Sequence, residues 1–113
     1  MLETFIERRT KMKLTVDKQA AAWFKEEVGI REGAGIRIKA KIYGGSPVRE
    51  GFGLAIDPIE PLNPIVTYKA DNGVLFFVED TDEWFFDGHD LNITLNEHAE
   101  PHYVYLKDGV AIN

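Results

Sequence analysis

The chain has 113 residues, no cysteine and a formal net charge of −6 at pH 7. That length fits one domain with a core of its own, and the missing cysteines exclude a disulfide framework, a thiolate nucleophile and any Cys-ligated zinc or iron–sulfur site. The acidic balance disfavours a phosphate-backbone partner, and no apolar run reaches membrane-spanning length.

Residues 1–11, MLETFIERRTK, do not read as a signal peptide: Glu3 and Glu7 interrupt the apolar residues, and Arg8 and Arg9 follow them. The segment is expected to be an N-terminal extension, poorly ordered, with Met12 opening the domain proper over residues 12–113. Leu14-Thr15-Val16 reads as a strand. Asp17 stands at a helix N-cap position before KQAAAWFKEEV, with Gly29 past the end for a left-handed cap. Ala20, Ala21, Phe24 and Val28 form the apolar stripe of that helix.

Residues 36–43 alternate, with Ile36, Ile38, Ala40 and Ile42 on one face and Arg37, Lys39, Lys41 and Tyr43 on the other. After the glycine loop, Phe52, Leu54 and Ile56 repeat the pattern. PIEPLNP (58–64) carries three prolines and reads as a connection or an edge. A short strand over 65–69 leads to Asp71-Asn72-Gly73, a hairpin turn whose Asn-Gly pair tolerates positive φ. Residues 74–78, VLFFV, are apolar on both faces and read as the central strand. EDTDEWFFDG reads as a short helical turn, with Asp80, Asp82 and Glu83 solvated at its start and Gly88 at its end. Leu91, Ile93 and Leu95 alternate in a further strand, and residues 102–106 form the last. The expectation is an α+β, strand-rich fold with one N-terminal helix, a short second helical turn and six or seven strands.

Motifs for chemistry are sparse. The loop Gly44-Gly45-Ser46 matches neither phosphate-binding signature, and no helix follows it. Ser46 precedes Pro47 and has no evident base, while Arg49 offers an anion contact. The acidic run fails the calcium-loop pattern, because Trp84 and Phe85 stand where an oxygen donor and a glycine belong. His98 and His102, with Glu97 and Glu100 beside them, form the one candidate for non-thiolate metal binding, but Pro101 argues against the helix that H-E-x-x-H requires. His89 has no evident partner, and Asn92-Ile93-Thr94 is a formal glycosylation acceptor in a strand. No triad or carboxylate pair stands at a recognisable spacing, so the chain reads as non-enzymatic, without a cofactor.

LTVDKQAAAWFKEEV, GIRIKAKIYGGS, GFGLAIDP, GVLFFVEDTDEWFFDG and HYVYLKDG come in an order that resembles the HesB-like family, the A-type iron–sulfur cluster biogenesis proteins, and within it a cysteine-free, YneR-like branch. The resemblance covers residue 12 to about residue 109. It implies a HesB-like fold, a small mixed β-sheet or pseudo-barrel. It also implies that the family's three cysteine ligands are gone: Ser46 stands at the loop position, and the chain ends GVAIN with no Cys-Gly-Cys tail. A serine hydroxyl is a poor substitute for a soft thiolate, so Gly44, Gly45 and Ser46 would be the vestige of a metal site. The function this implies is a cytoplasmic domain that binds a protein partner or small ligand, with homodimerisation compatible. Metal delivery through His98 and His102 is the alternative. Trp84, Phe85 and Phe86 belong to the core or to a contact surface. Arg37, Lys39 and Lys41 make a solvated strand face or a surface for an anionic partner.

Overall fold

The computed structural model describes residues 12–42, 46–48 and 51–112. The expected extension over residues 1–11 lies outside these, as do Tyr43, Gly44, Gly45 and Arg49. Among the described residues, eight strands, two helices and a 3-10 turn follow in the order β1 (Leu14–Val16), α1 (Lys18–Glu27), β2 (Gly35–Lys41), β3 (Gly53–Ile59), β4 (Pro64–Lys69), β5 (Leu75–Glu79), the 3-10 turn (Asp80–Asp82), α2 (Glu83–Phe86), β6 (Asp90–Leu95), β7 (Pro101–Lys107) and β8 (Val110–Ala111). They build two four-stranded sheets, ordered β1-β6-β7-β8 and β3-β2-β5-β4. Both are mixed: β1 runs parallel to β6 and β2 parallel to β5, while the other pairs are antiparallel. The strand-rich α+β class is therefore as expected.

The alternation in β2 is what fixes its faces. Ile36 and Ile38 are fully buried in the core, and Ile42, past the strand end, is exposed. β5 is central and buried on both faces. Phe76 and Val78 join the main core, whereas the Phe77 ring lies on the other face, over Gly35. A Cβ on Gly35 would stand 2.7 Å from the Leu75 carbonyl oxygen, so glycine is required for the close approach of β2 and β5. Pro58 is tolerated because β3 is an edge strand.

Helix α1 buries Ala20, Ala21 and Phe24, and the Phe24 ring meets Phe76 edge-on at 5.3 Å. Its capping differs from expectation. The Asp17 side chain makes no cap hydrogen bond, while its backbone N–H donates to the Ile93 carbonyl at 2.8 Å, tying the helix start to β6. The C-cap is Val28 in an extended conformation, and Gly29 does not turn left-handed. At the β4–β5 turn only Gly73 of the Asn-Gly pair has positive φ (95°), and its N–H donates to the Ala70 carbonyl. This is the three-residue loop with a bulged glycine. The left-handed pair stands instead at Asp108-Gly109, the β7–β8 turn.

Candidate functional site

The segment after β5 was expected to begin with solvated carboxylates. Asp82 is instead only 6% exposed. Its carboxylate accepts from Arg37 Nε at 3.1 Å and Nη2 at 2.9 Å, and lies 3.5 Å from the Ala40 N–H. The basic row on β2 is correspondingly not a free cationic face: Arg37 is spent on Asp82, and Lys39 pairs with Asp57 at 3.4 Å. Glu79, which sequence reasoning passed over, is also buried, and accepts from the Leu62 and Asn63 N–H groups, each at 2.7 Å. Asn63 in turn donates to Asp80 at 2.9 Å. These bonds clamp one end of the 3-10 turn to β2 through Arg37 and the other to the β3–β4 connection through Leu62 and Asn63.

On this clamped segment the three aromatics separate. Phe85 and Phe86 are buried and pack against Tyr105, whereas Trp84 is 48% exposed. The Trp84 indole rests edge-on against Phe52 at 5.3 Å, with Phe85 at 6.1 Å. Asp87 (φ 49°) and Gly88 (φ 82°) then turn the chain left-handed and end α2. His89 secures that end: its backbone N–H donates to the Phe86 carbonyl at 2.9 Å, and ring Nδ1 lies 2.8 Å from the same oxygen, so Nδ1 carries the proton. The result is an open groove lined by Asp80, Thr81, Glu83, Trp84, Asp87 and Gly88. Half-buried Glu83 has no hydrogen-bond or ion-pair partner among the described residues. Lys107 Nζ reaches the Gly88 end. The Trp84 indole is thus half exposed in a groove that also carries the carboxylates of Asp80, Glu83 and Asp87.

The other candidates fall elsewhere. Ser46 is partly buried at the edge of the glycine loop. His98 stands in the β6–β7 turn, where its N–H donates to Asn96 Oδ1 at 2.8 Å, and its ring lies 3.8 Å from the Glu97 carboxylate. His102 lies on β7 opposite Thr94. Among the described residues no group of three or more His, Cys, Asp or Glu side chains is placed to hold a metal ion. Asn92 serves the β1–β6 seam by accepting from the Thr15 hydroxyl at 2.7 Å. A further cavity of about 300 Å³ lies between α1 and the β4–β5 turn, lined by Val16, Ala21, Ala22, Tyr68 and their neighbours. Its Asn72 amide is already committed to the Ala21 carbonyl and the Val74 N–H. Among the described residues no helix is long and apolar enough to cross a membrane.

Comparison with known proteins corrects the functional expectation. No family model matches the sequence, and no solved structure matches. Over 95 residues the chain is 38% identical to the pyruvate dehydrogenase inhibitor of Bacillus subtilis (strain 168), across 83% of this chain and 99% of that one. Over 88 residues it is 27% identical to an uncharacterized protein of Staphylococcus saprophyticus, across 76% and 90% of the two chains. The expected membership of the HesB-like family is overturned by the Bacillus relative, and with it the reading as a HesB-like domain that has lost its cluster ligands and the metal-delivery alternative. The physical reason is that the resemblance rested on element order and on glycine turns, which many small β-rich folds share and which do not carry function. The 38% identity along almost the whole of the Bacillus protein places this chain in the family of that pyruvate dehydrogenase inhibitor.

Proposed function

We propose that the protein is a non-catalytic regulator that inhibits a pyruvate dehydrogenase by binding it, and that the face around Trp84 makes the contact. The target is taken from the name of the Bacillus relative, which aligns along nearly its whole length. The binding surface rests on one observation: Trp84 is half exposed on a segment otherwise fixed by buried bonds. A large aromatic held rigid before association loses little conformational freedom on binding, which is why such residues dominate interface energetics. A regulator of this kind needs no cofactor and no nucleophile of its own, and a cytoplasmic location agrees with such a target.

The test is to titrate the purified protein into a turnover assay of pyruvate dehydrogenase from the same organism. Turnover should fall to a floor as inhibitor reaches the concentration of its binding sites, and the two proteins should co-elute on size exclusion. Unchanged turnover with no co-elution sinks the reading. Trp84→Ala should weaken inhibition by tenfold or more, while Glu32→Gln, on an exposed loop before β2, should leave it unchanged.

A further inference from the structure

We infer that Asn72 is a deamidation site that the fold holds shut, and that its modification makes the opening of the β4–β5 turn irreversible. The chemistry follows from the Asn72-Gly73 pair. The Gly73 amide nitrogen gives up its proton and attacks Asn72 Cγ; the bond from Cγ to Nδ2 breaks, and ammonia leaves with that proton. Water then opens the resulting cyclic imide at one of its two carbonyls. The product is aspartate or, with one extra methylene in the main chain, isoaspartate. Glycine at the next position favours the attack, because no side chain crowds the nitrogen. The other internal asparagines are poorer substrates. Asn63 precedes Pro64, whose nitrogen carries no proton, and Asn92 and Asn96 precede the bulkier Ile93 and Glu97.

In the folded protein each participant is engaged. The Gly73 N–H donates to the Ala70 carbonyl at 2.9 Å. The Asn72 amide is held at both ends: Oδ1 accepts from the Val74 N–H at 3.1 Å, and Nδ2 donates to the Ala21 carbonyl of α1 at 3.0 Å. The Asn72 carbonyl accepts from Lys25 Nζ at 3.1 Å, a second tie to α1. Cγ reaches the Gly73 nitrogen only after the side chain has left these partners, so the reaction waits for the turn to lift from α1. The products do not fit back. Aspartate has no N–H for Ala21 and sets a carboxylate against that carbonyl, next to Asp71. Isoaspartate lengthens the chain just before β5, where Lys69 pairs with Leu75 and Tyr68 with Phe76, and so disturbs the register of the central strand.

The experiment incubates the full chain in native buffer and in urea above its unfolding midpoint, with the capped peptide Lys-Ala-Asp-Asn-Gly-Val-Leu in both solutions. Peptide mapping by mass spectrometry follows the mass gain at residue 72. The folded chain should deamidate more slowly than the peptide by about tenfold or more, and the unfolded chain at close to the peptide's rate. The slowing should match the protection of the Gly73 amide against hydrogen exchange to within about threefold, because both reactions need the same opening. A folded chain that deamidates as fast as the peptide, or does so while Gly73 stays protected, overturns the inference. Irreversibility is tested by removing the urea. Unmodified chains should regain native protection at Gly73, and chains carrying isoaspartate should not; full recovery by the isoaspartate fraction overturns the trap. Asn72→Asp should lower the urea midpoint relative to wild type, and an unchanged midpoint overturns the claim that aspartate fails to redock on α1.

Discussion

Asp82 and Asp57 make two ion pairs that look alike on paper and differ in worth. Asp82 is buried and shared between the Arg37 guanidinium and the neighbourhood of the Ala40 N–H, so Asp82→Ala leaves a half-buried cation without its partner. The expected loss is about 3 kcal/mol of unfolding free energy in urea titration. Lys39–Asp57 is longer, at 3.4 Å, and about a third exposed on both sides, so Asp57→Ala should cost less than about 1 kcal/mol. Tyr105 supplies a second residue-level prediction. Burial, with repulsion from Tyr103 after it, pushes the Tyr105 hydroxyl up to about 12 from an ordinary value of 10.0. The unfolded chain therefore loses this proton first as pH rises. The contribution is complete below pH 10 and disappears as pH climbs toward 12, a loss on the order of 2–3 kcal/mol. Tyr105→Phe should flatten the fall in urea midpoint across that window by a comparable amount. Unchanged steepness would locate the alkaline sensitivity elsewhere. Neither partner choice was legible in the sequence: Arg37 and Asp82 stand 45 positions apart, and only the fold says that a carboxylate in an acidic run is an internal counter-ion.

Elements were read best where one face decides the pattern. The alternation of Ile36 with Ile38 and of Leu91 with Ile93 reports burial directly, because a strand that slipped by one residue would turn these side chains to water. Turns were read less well. Asn72-Gly73 and Asp108-Gly109 carry the same local signal, yet only the second adopts the paired left-handed conformation. The first is fixed by tertiary bonds, with Asn72 tied to the Ala21 carbonyl of α1. The Asp108-Gly109 signal was present and would have located β8. Of the EWFF segment the sequence shows three aromatics but not the phase of the helical turn, so the exposure of Trp84 emerges only from the structure. Gly35 offers the sharpest element-level test. Its missing Cβ lets β2 lie against the Leu75 carbonyl and under the Phe77 ring, and backbone cannot give way as a flexible side chain does. Gly35→Ala should cost about 2 kcal/mol or more, and should raise amide exchange along both β2 and β5 before the rest of the protein opens. A neutral substitution would mean that the two strands are free to part.

At the scale of the molecule, the two sheets are joined through shared apolar mass. Leu14, Val16, Leu91 and Ile93 from one sheet and Ile36, Ile38, Phe76 and Val78 from the other belong to one continuous core with α1 and α2. β1 also lies against β4, so contact between the sheets is made at more than one place. Element order alone led to the wrong family because it describes how such a core is wrapped, whereas kinship with the Bacillus inhibitor is carried by identities spread along the chain. The shared core has a mechanical consequence: the Trp84 platform is only as stable as the whole. Phe24 is the place to test this, because it is fully buried on α1 and touches Phe76 of the second sheet while α1 packs on β6 of the first. Phe24→Ala should cost about 3–5 kcal/mol. If the residues from 12 onward unfold as one unit, the urea midpoints followed by tryptophan fluorescence and by far-ultraviolet circular dichroism should fall together, with the slope of the transition retained. Fluorescence is informative here because Trp23 reports on the helix and Trp84 on the candidate interface. Midpoints that separate in the variant would show that the sheets can unfold independently, and that the binding face can loosen while part of the fold persists.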